Sequence, residues 1–154
     1  MSRAKIMILA GGTGGHVIPG LTIAKALEDA KCDITWIGSK GGIEEKLVPK
    51  ANIKIEYITV MGLRGKSLMN VLIAVKQLIQ SIFQSINLLM KYRPDVVIGM
   101  GGYVSGPGGI AAFLLRYPLV IHEQNSVPGT TNKFLAKIAS SVLEAFPGSF
   151  RSKM

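Results

Sequence analysis

An apolar run from Ile6 to Ala10 passes straight into Gly11-Gly12-Thr13-Gly14-Gly15-His16-Val17-Ile18-Pro19-Gly20, and apolar residues at helical spacing, Leu21, Ile23, Ala24 and Leu27, follow it. The order reads strand, glycine loop, helix. Glycines leave no Cβ in the way, so backbone N–H groups can approach a ligand closely, and the positive end of the following helix favours an anion there. Phosphate or pyrophosphate is the expected visitor.

The rest of the chain repeats that alternation. Cys32 to Ile37 reads as a second strand closed by Gly38, with Cys32 a buried thiol at its start. A short helix around Ile43 to Val48 is stopped by Pro49, and Ile53 to Val60 alternates as a strand with one wetter face, near a sheet edge. The longest periodic segment runs from Lys66 to Tyr92, with Leu68, Val71, Leu72, Val75, Leu78, Ile79, Ile82, Ile86, Leu89 and Met90 on one stripe and Asn70, Gln77, Gln80, Gln84 and Asn87 opposite. It reads as a core helix too polar to span a bilayer. Pro94 ends it, and the buried-strand run Val96 to Ile98 leads into a second glycine stretch, Gly99-Met100-Gly101-Gly102-Tyr103-Val104-Ser105-Gly106-Pro107-Gly108-Gly109. A helix from about Pro107 to Leu115, a strand Leu119 to Ile121, the polar turn His122-Glu123-Gln124-Asn125, a helix Gly129 to Ile138 and a strand Ser141 to Ala145 complete the pattern. Strands alternating with helices predict an α/β fold: a Rossmann-like parallel sheet with helices on both faces and ligands at the carboxyl ends of its strands. Both glycine loops and the His122 turn follow strands, so all three open on one edge.

Composition narrows the function. The 154 residues suit about one domain, and the net charge of +9 admits nucleic acid, an anionic membrane or an anionic substrate. The cations are scattered singly and aromatics make up only 6%, so nucleic acid is disfavoured. Cys32 is the only cysteine, which excludes an intrachain disulfide and a cysteine zinc cluster, and no secretory signal precedes Ile6. A cytoplasmic protein is expected, with neither metal nor cofactor, since H-E-x-x-H and Asp-x-Asp are both absent.

Familiar phosphate motifs fail on spacing. Counted from Gly12 and Gly14, G-x-G-x-x-G needs a glycine where Val17 stands, and Ile37-Gly38-Ser39 lacks the acid that would hold a ribose. Gly62-Leu63-Arg64-Gly65-Lys66-Ser67 resembles the tail of a P-loop, but the motif's first glycine would fall at Val60. Gly65-Lys66-Ser67 reads as a turn and helix N-cap.

Gly11 to Pro19, Gly99 to Pro107 and His122-Glu123-Gln124-Asn125, in that order and at that spacing, resemble the N-terminal half of the MurG family of glycosyltransferases across essentially the whole chain. Members of that family transfer N-acetylglucosamine from UDP-N-acetylglucosamine to the undecaprenyl-pyrophosphate-linked muramyl-peptide lipid I, giving lipid II. The resemblance implies a two-domain GT-B architecture in which 1–146 form the acceptor-binding domain, 147–154 a tail, and the donor-nucleotide domain lies outside this chain, so that this half alone transfers sugar poorly. It also implies a peripheral position on the cytoplasmic face of the inner membrane, with cell-wall or division proteins as further partners.

Roles for residues follow from the resemblance and from chemistry together. His16, with a reference pKa of ~6.5, suits proton transfer near neutrality; a turn-capping imidazole is the structural alternative. Thr13, Gly14 and Gly15 would contact ligand through N–H groups and a hydroxyl. Gly101, Gly102, Tyr103 and Ser105 would line the acceptor side, Tyr103 packing on a sugar face. Asn125 resembles the family's sugar-binding asparagine, while His122 or Glu123 could orient the acceptor or replace His16 as base; capping of a helix by Asn125 and Ser126 is the alternative. Leu72, Ile79, Ile82 and Phe113 are candidates for a membrane-contact patch, with Arg64, Lys66, Lys76, Arg116 and Lys137 as its basic rim, against core packing for each apolar one. Two rival functions stay open: a binding module without catalysis that captures a lipid pyrophosphate or a cell-wall partner, and a dinucleotide-dependent oxidoreductase, disfavoured by the failed fingerprint.

Overall fold

The computed structural model describes residues 3–60 and 68–150. The strands β1 (Lys5–Leu9), β2 (Asp33–Gly38), β3 (Lys54–Tyr57), β4 (Val96–Gly99), β5 (Leu119–Glu123) and β6 (Ser141–Glu144) alternate with helices α1 (Gly14–Asp29), α2 (Glu44–Lys50), α3 (Leu68–Tyr92), α4 (Gly102–Leu114) and α5 (Thr130–Leu135). All six strands form one parallel sheet in the order β3-β2-β1-β4-β5-β6. The chain winds outward one way from β1 and the other way from β4, so the carboxyl ends of these two neighbours flank a switch-point crevice. Both glycine loops leave the sheet there. This is the Rossmann-like architecture the alternation predicts.

The sheet is covered on both faces because its central strands are apolar on both. Along β1, Met7 and Leu9 join Val97, Val104, Ile121 and Leu135 in one core layer, while Ile6, Ile8 and Ala10 join Val17, Ala24, Trp36 and Met100 in the other. The period-2 alternation of a strand divides them. Trp36 donates its indole N–H to the Ala10 carbonyl at 2.8 Å, and a Cβ on Gly20 would lie 2.7 Å from the same ring. Glycine at position 20 therefore sets how closely α1 rides on β2.

Several boundaries differ from the sequence reading. Helix α1 begins at Gly14 and α4 at Gly102, so the second half of each glycine stretch is already helical, with Pro19 and Pro107 inside the helices. A proline near the N-terminus removes only one early hydrogen bond, which is why neither helix waits for it. Pro49 likewise sits within the last turn of α2 rather than stopping it. His122 and Glu123 belong to β5, and the turn starts at Gln124. Helix α5 closes at Leu135, short of Ile138. Cys32 is half-buried rather than buried. The alternating β3 is an edge strand, as its wetter face implies. The turn at Gly65-Lys66-Ser67, with Arg64 and Lys66, lies outside the described residues.

Helix α3 departs most from expectation. Among its described side chains, only Ser81, Ser85 and Leu89, spaced i, i+4, i+8, are buried, and both hydroxyls donate to carbonyls of their own preceding turn. Its first half leaves Met69, Val71, Leu72, Ile73, Val75, Leu78, Ile79 and Phe83 exposed, from 44% at Leu78 to 66% at Leu72. By length and composition alone the helix is apolar enough to cross a membrane, contrary to the reading of it as too polar. Its last turns nonetheless pack on the sheet layer through Leu89. Beyond β6, Gly148 and Phe150 donate N–H groups to the Glu144 carboxylate at 2.7 and 3.1 Å, which ties 147–150 to the strand.

A cleft between two glycine loops

The two loops touch because glycine lets them. Gly101 and Gly102 have φ of +100° and +79°, in the left-handed region, and a Cβ on Gly102 would stand 2.6 Å from the Gly11 carbonyl oxygen. A Cβ on Gly101 would stand 2.8 and 3.0 Å from Cδ2 and Nε2 of His16. Ser105 is fully buried behind them: its Oγ accepts the Gly101 N–H at 3.0 Å and donates toward the Leu9 carbonyl at 2.7 Å, with the Gly101 carbonyl as alternative acceptor at 2.8 Å. Ser105 thus stitches the second loop to the end of β1 and shapes the cleft from behind. Gln124 adds a third tie, its side-chain N–H meeting the Met100 carbonyl at 3.1 Å.

His16 lies in the first turn of α1 with one ring edge against Gly101. Its Nδ1 pairs with the hydroxyl of Thr13 at 3.0 Å. Thr13 is the N-cap of α1, yet its side chain bonds the imidazole and not a backbone N–H. When Nδ1–H donates to Thr13, the Nε2 lone pair is left to accept a proton. Burial of the ring pushes its pKa below 6.5, and the charge of Glu123 acts more weakly the other way. The imidazole is therefore neutral at pH 7. Gly14 and Gly15, the first two residues of α1, have N–H groups with no acceptor inside the helix, at the positive end of a 16-residue helix.

The third motif is built around Glu123. Its carboxylate, 1% exposed, accepts four N–H donors: the backbone of Asn125 and the side chain of Asn125 at 2.9 Å on Oε1, and Gly129 at 3.2 Å and Asn132 Nδ2 at 2.9 Å on Oε2. Such a group holds the β5–α5 loop together, and Asn125, exposed at its rim, is presented by it. His122, one residue back, projects to the opposite face of the sheet, where it lines a shallow groove with Ile18, Pro19, Thr22 and Ile23. Its buried Nδ1 has no partner, nor has the buried Oδ1 of Asn132.

Tyr103, 65% exposed, stands at the start of α4 and shares an apolar groove of about 340 Å³ with Val60, Val71, Val75, Leu78 and Pro107. Leu72, Ile79 and Phe113 are exposed, Ile82 is half-buried, and Lys76, Arg116 and Lys137 are exposed. Two residues escaped the sequence reading. Asn132 is a polar residue on the buried stripe it shares with Leu135, an irregularity that could have flagged it. Glu44 is a fully buried acid preceded by Gly41-Gly42, and that pairing of glycines with an acid was its only signal.

A doubly wound domain that gathers a helix N-terminus, an imidazole and two glycine loops at its switch point has the layout of a nucleotide-binding fold. The chain belongs to the family of glycosyltransferase family 28 N-terminal domains, whose model matches residues 6–144. It is 56% identical over 146 residues to the UDP-N-acetylglucosamine--N-acetylmuramyl-(pentapeptide) pyrophosphoryl-undecaprenol N-acetylglucosamine transferase of Vibrio cholerae serotype O1 (strain M66-2), covering 95% of this chain and 41% of that protein. The enzyme of the same description from Histophilus somni (strain 129Pt) is 52% identical over 148 residues, 96% of this chain and 42% of its own. Among solved structures, Acinetobacter baumannii MurG superposes with a TM-score of 0.86 at 41% identity, covering 96% of this chain and 43% of that one. The UDP-GlcNAc 2-epimerase of Methanocaldococcus jannaschii, at 15% identity and a TM-score of 0.63 over 94% of this chain and 40% of that one, shares the fold. The chain spans about two fifths of the length of the curated relatives it matches.

Proposed function

We propose that this chain is the acceptor-binding half, residues 1–146, of an inverting transferase that moves N-acetylglucosamine from UDP-N-acetylglucosamine to lipid I, and that a second domain supplies most contacts to the nucleotide. One observation carries the reading: His16, neutral at pH 7 and held through Nδ1, sits where the two glycine loops converge. Attack by an acceptor hydroxyl forms a C–O bond to the anomeric carbon as the bond to the diphosphate breaks from the opposite face. The hydroxyl proton passes to Nε2 of His16, and UDP leaves with its charge on the diphosphate. Thr13 holds the ring, Gly14 and Gly15 offer N–H groups to the acceptor pyrophosphate or donor sugar, Tyr103 packs on a sugar face, and Asn125 meets the donor N-acetylglucosamine. Glu123 and Ser105 position this machinery from within. Joined to a complete second domain of the family, the chain is expected to transfer N-acetylglucosamine to a lipid I analogue, while NADH shows no saturable binding. Saturable NADH binding without transfer would overturn the assignment.

The same reading sets the chain on the cytoplasmic face of the inner membrane. An exposed apolar helix face that carries Lys76 suits the interface of an anionic leaflet. The chain is expected to bind vesicles containing anionic lipid, more weakly as salt rises, and Leu72→Ser with Phe83→Ser should weaken that binding roughly tenfold. Binding indifferent to salt would remove Lys76, Arg116 and Lys137 from the rim.

A further inference from the structure

Among the described residues, Glu44 is the one fully buried acid at the edge of the cleft to which the reaction above gives no role. Its Oε1 accepts the Ser39 N–H at 2.9 Å and the Ser39 hydroxyl at 2.7 Å, and its Oε2 accepts the Gly12 N–H at 3.0 Å. These are distances of charge-assisted bonds. No cation pairs with it in the ion pairs found among the described residues. The carboxylate is walled by glycines: a Cβ on Gly42 would lie 2.2 Å from Oε2, one on Gly11 2.5 Å from Oε1, and one on Gly38 2.7 Å from Cγ. None of these three has a φ in the left-handed region, unlike Gly12 and Gly41. They are glycines because the carboxylate needs the room.

The position matters more than the burial. Gly12 belongs to the loop after β1 and Ser39 to the end of β2. In a doubly wound nucleotide site, the first-loop N–H groups meet a pyrophosphate and an acid at the end of β2 meets the ribose. Here one internal carboxylate fills the β1–β2 side, taking the loop N–H and the donors at the end of β2. The remaining donors, on Gly14 and Gly15 at the start of α1, are not taken up by Glu44.

We propose that Glu44 is a positioning residue that acts as a built-in anion: it occupies the phosphate nest on the β1–β2 side of the first glycine loop, fixes the loop that carries Thr13 and His16, and keeps external phosphate out of that side. The occupancy stands on geometry alone; only its effect on sugar transfer rests on the function proposed above.

Thermal unfolding of the whole 154-residue chain tests it without any catalytic assay. Glu44→Ala should lower Tm by about 5–10 °C. Sodium formate at about 100 mM, which supplies a carboxylate to the vacated nest, should restore at least half of that loss, with sodium chloride at equal ionic strength restoring none. The unsubstituted chain should respond to the two salts alike. An alanine variant with unchanged Tm, or one that formate and chloride affect equally, overturns the proposal. Should that variant fail to fold, Glu44→Gln keeps the volume but turns an amide N–H toward one of the three donors. Amide exchange should then accelerate at least tenfold at Gly12 or Ser39, whichever faces the amide N–H, and stay unchanged in α4, roughly the loss of one charge-assisted bond. Native protection at both amides in the glutamine variant also overturns it. In a chain joined to a second domain, Glu44→Gln should lower kcat and leave the donor KM unchanged. Failure of that arm alone, with the formate and exchange results as expected, counts against the proposed transfer chemistry and not against the built-in anion.

Discussion

Replacing His16 with alanine is expected to lower sugar transfer by about a hundredfold or more in a chain joined to its second domain, since a positioned general base contributes 10²–10⁴. The fold should survive, because the ring is only half-buried and its side-chain bond goes to exposed Thr13. The pH profile of the parent enzyme gives an independent reading. Burial holds the His16 pKa below 6.5, so the neutral base is present at pH 7 and is lost on acidification through that lowered value. The rate should fall with falling pH on a limb lying below pH 6.5, and the limb should vanish in His16→Ala. A parent-like rate in His16→Ala would move the base elsewhere, with His122 the next residue to test.

Glu123→Ala should cost about 3–5 kcal/mol of stability, the range for removing one partner from a buried charged network. Four donors lose their acceptor together, and Asn132, 1% exposed, has no solvent to turn to. For a chain of this length the loss corresponds to a fall in Tm of roughly 10 °C. Glu123→Gln should fall between the two, keeping one accepting oxygen. Because the Glu123 charge raises the His16 pKa, either substitution should move that pKa lower still, which an NMR titration of the imidazole reads directly. A Tm within a degree or two of the parent, with an unmoved imidazole, would mean that the carboxylate does not anchor the loop.

How far the sequence reveals this molecule depends on the range of the interactions involved. The β1–loop–α1 unit is legible because its signals are local: an apolar run, then glycines, then helical spacing. That the strands are parallel and covered on both faces follows from their alternation with helices, whereas their order is set by long-range pairing that the alternation leaves open. Helix α3 defeats the same logic. Its stripe from Val71 to Ile79 has the periodicity of a core helix, and periodicity alone does not say whether a face meets the sheet or the outside. The helix starts at Gly14 and Gly102 were hidden because glycine and proline disfavour helix locally, whereas contact between the loops decides the outcome. Glu44 reads as an ordinary acid of a helix start, and Glu123 as a candidate to orient the acceptor or act as base rather than as the anchor of a loop. What distinguishes them is hydrogen bonding across 32 residues in one case and to a turn and helix end in the other, and neither leaves a periodic trace.

The groove that carries Tyr103 on one wall carries Val71, Val75 and Leu78 of α3 on the other. Tyr103, next after the second glycine pair, and the apolar helix thus line one groove. For an acceptor whose tail is dissolved in a bilayer, that closeness has an energetic meaning. Every methylene drawn from lipid into water costs about 0.8 kcal/mol, so a cleft standing one isoprene unit above the surface would forfeit several kcal/mol per encounter. Under the function proposed above, a cleft at headgroup depth would leave the tail where it is, and the substrate would react without leaving its solvent.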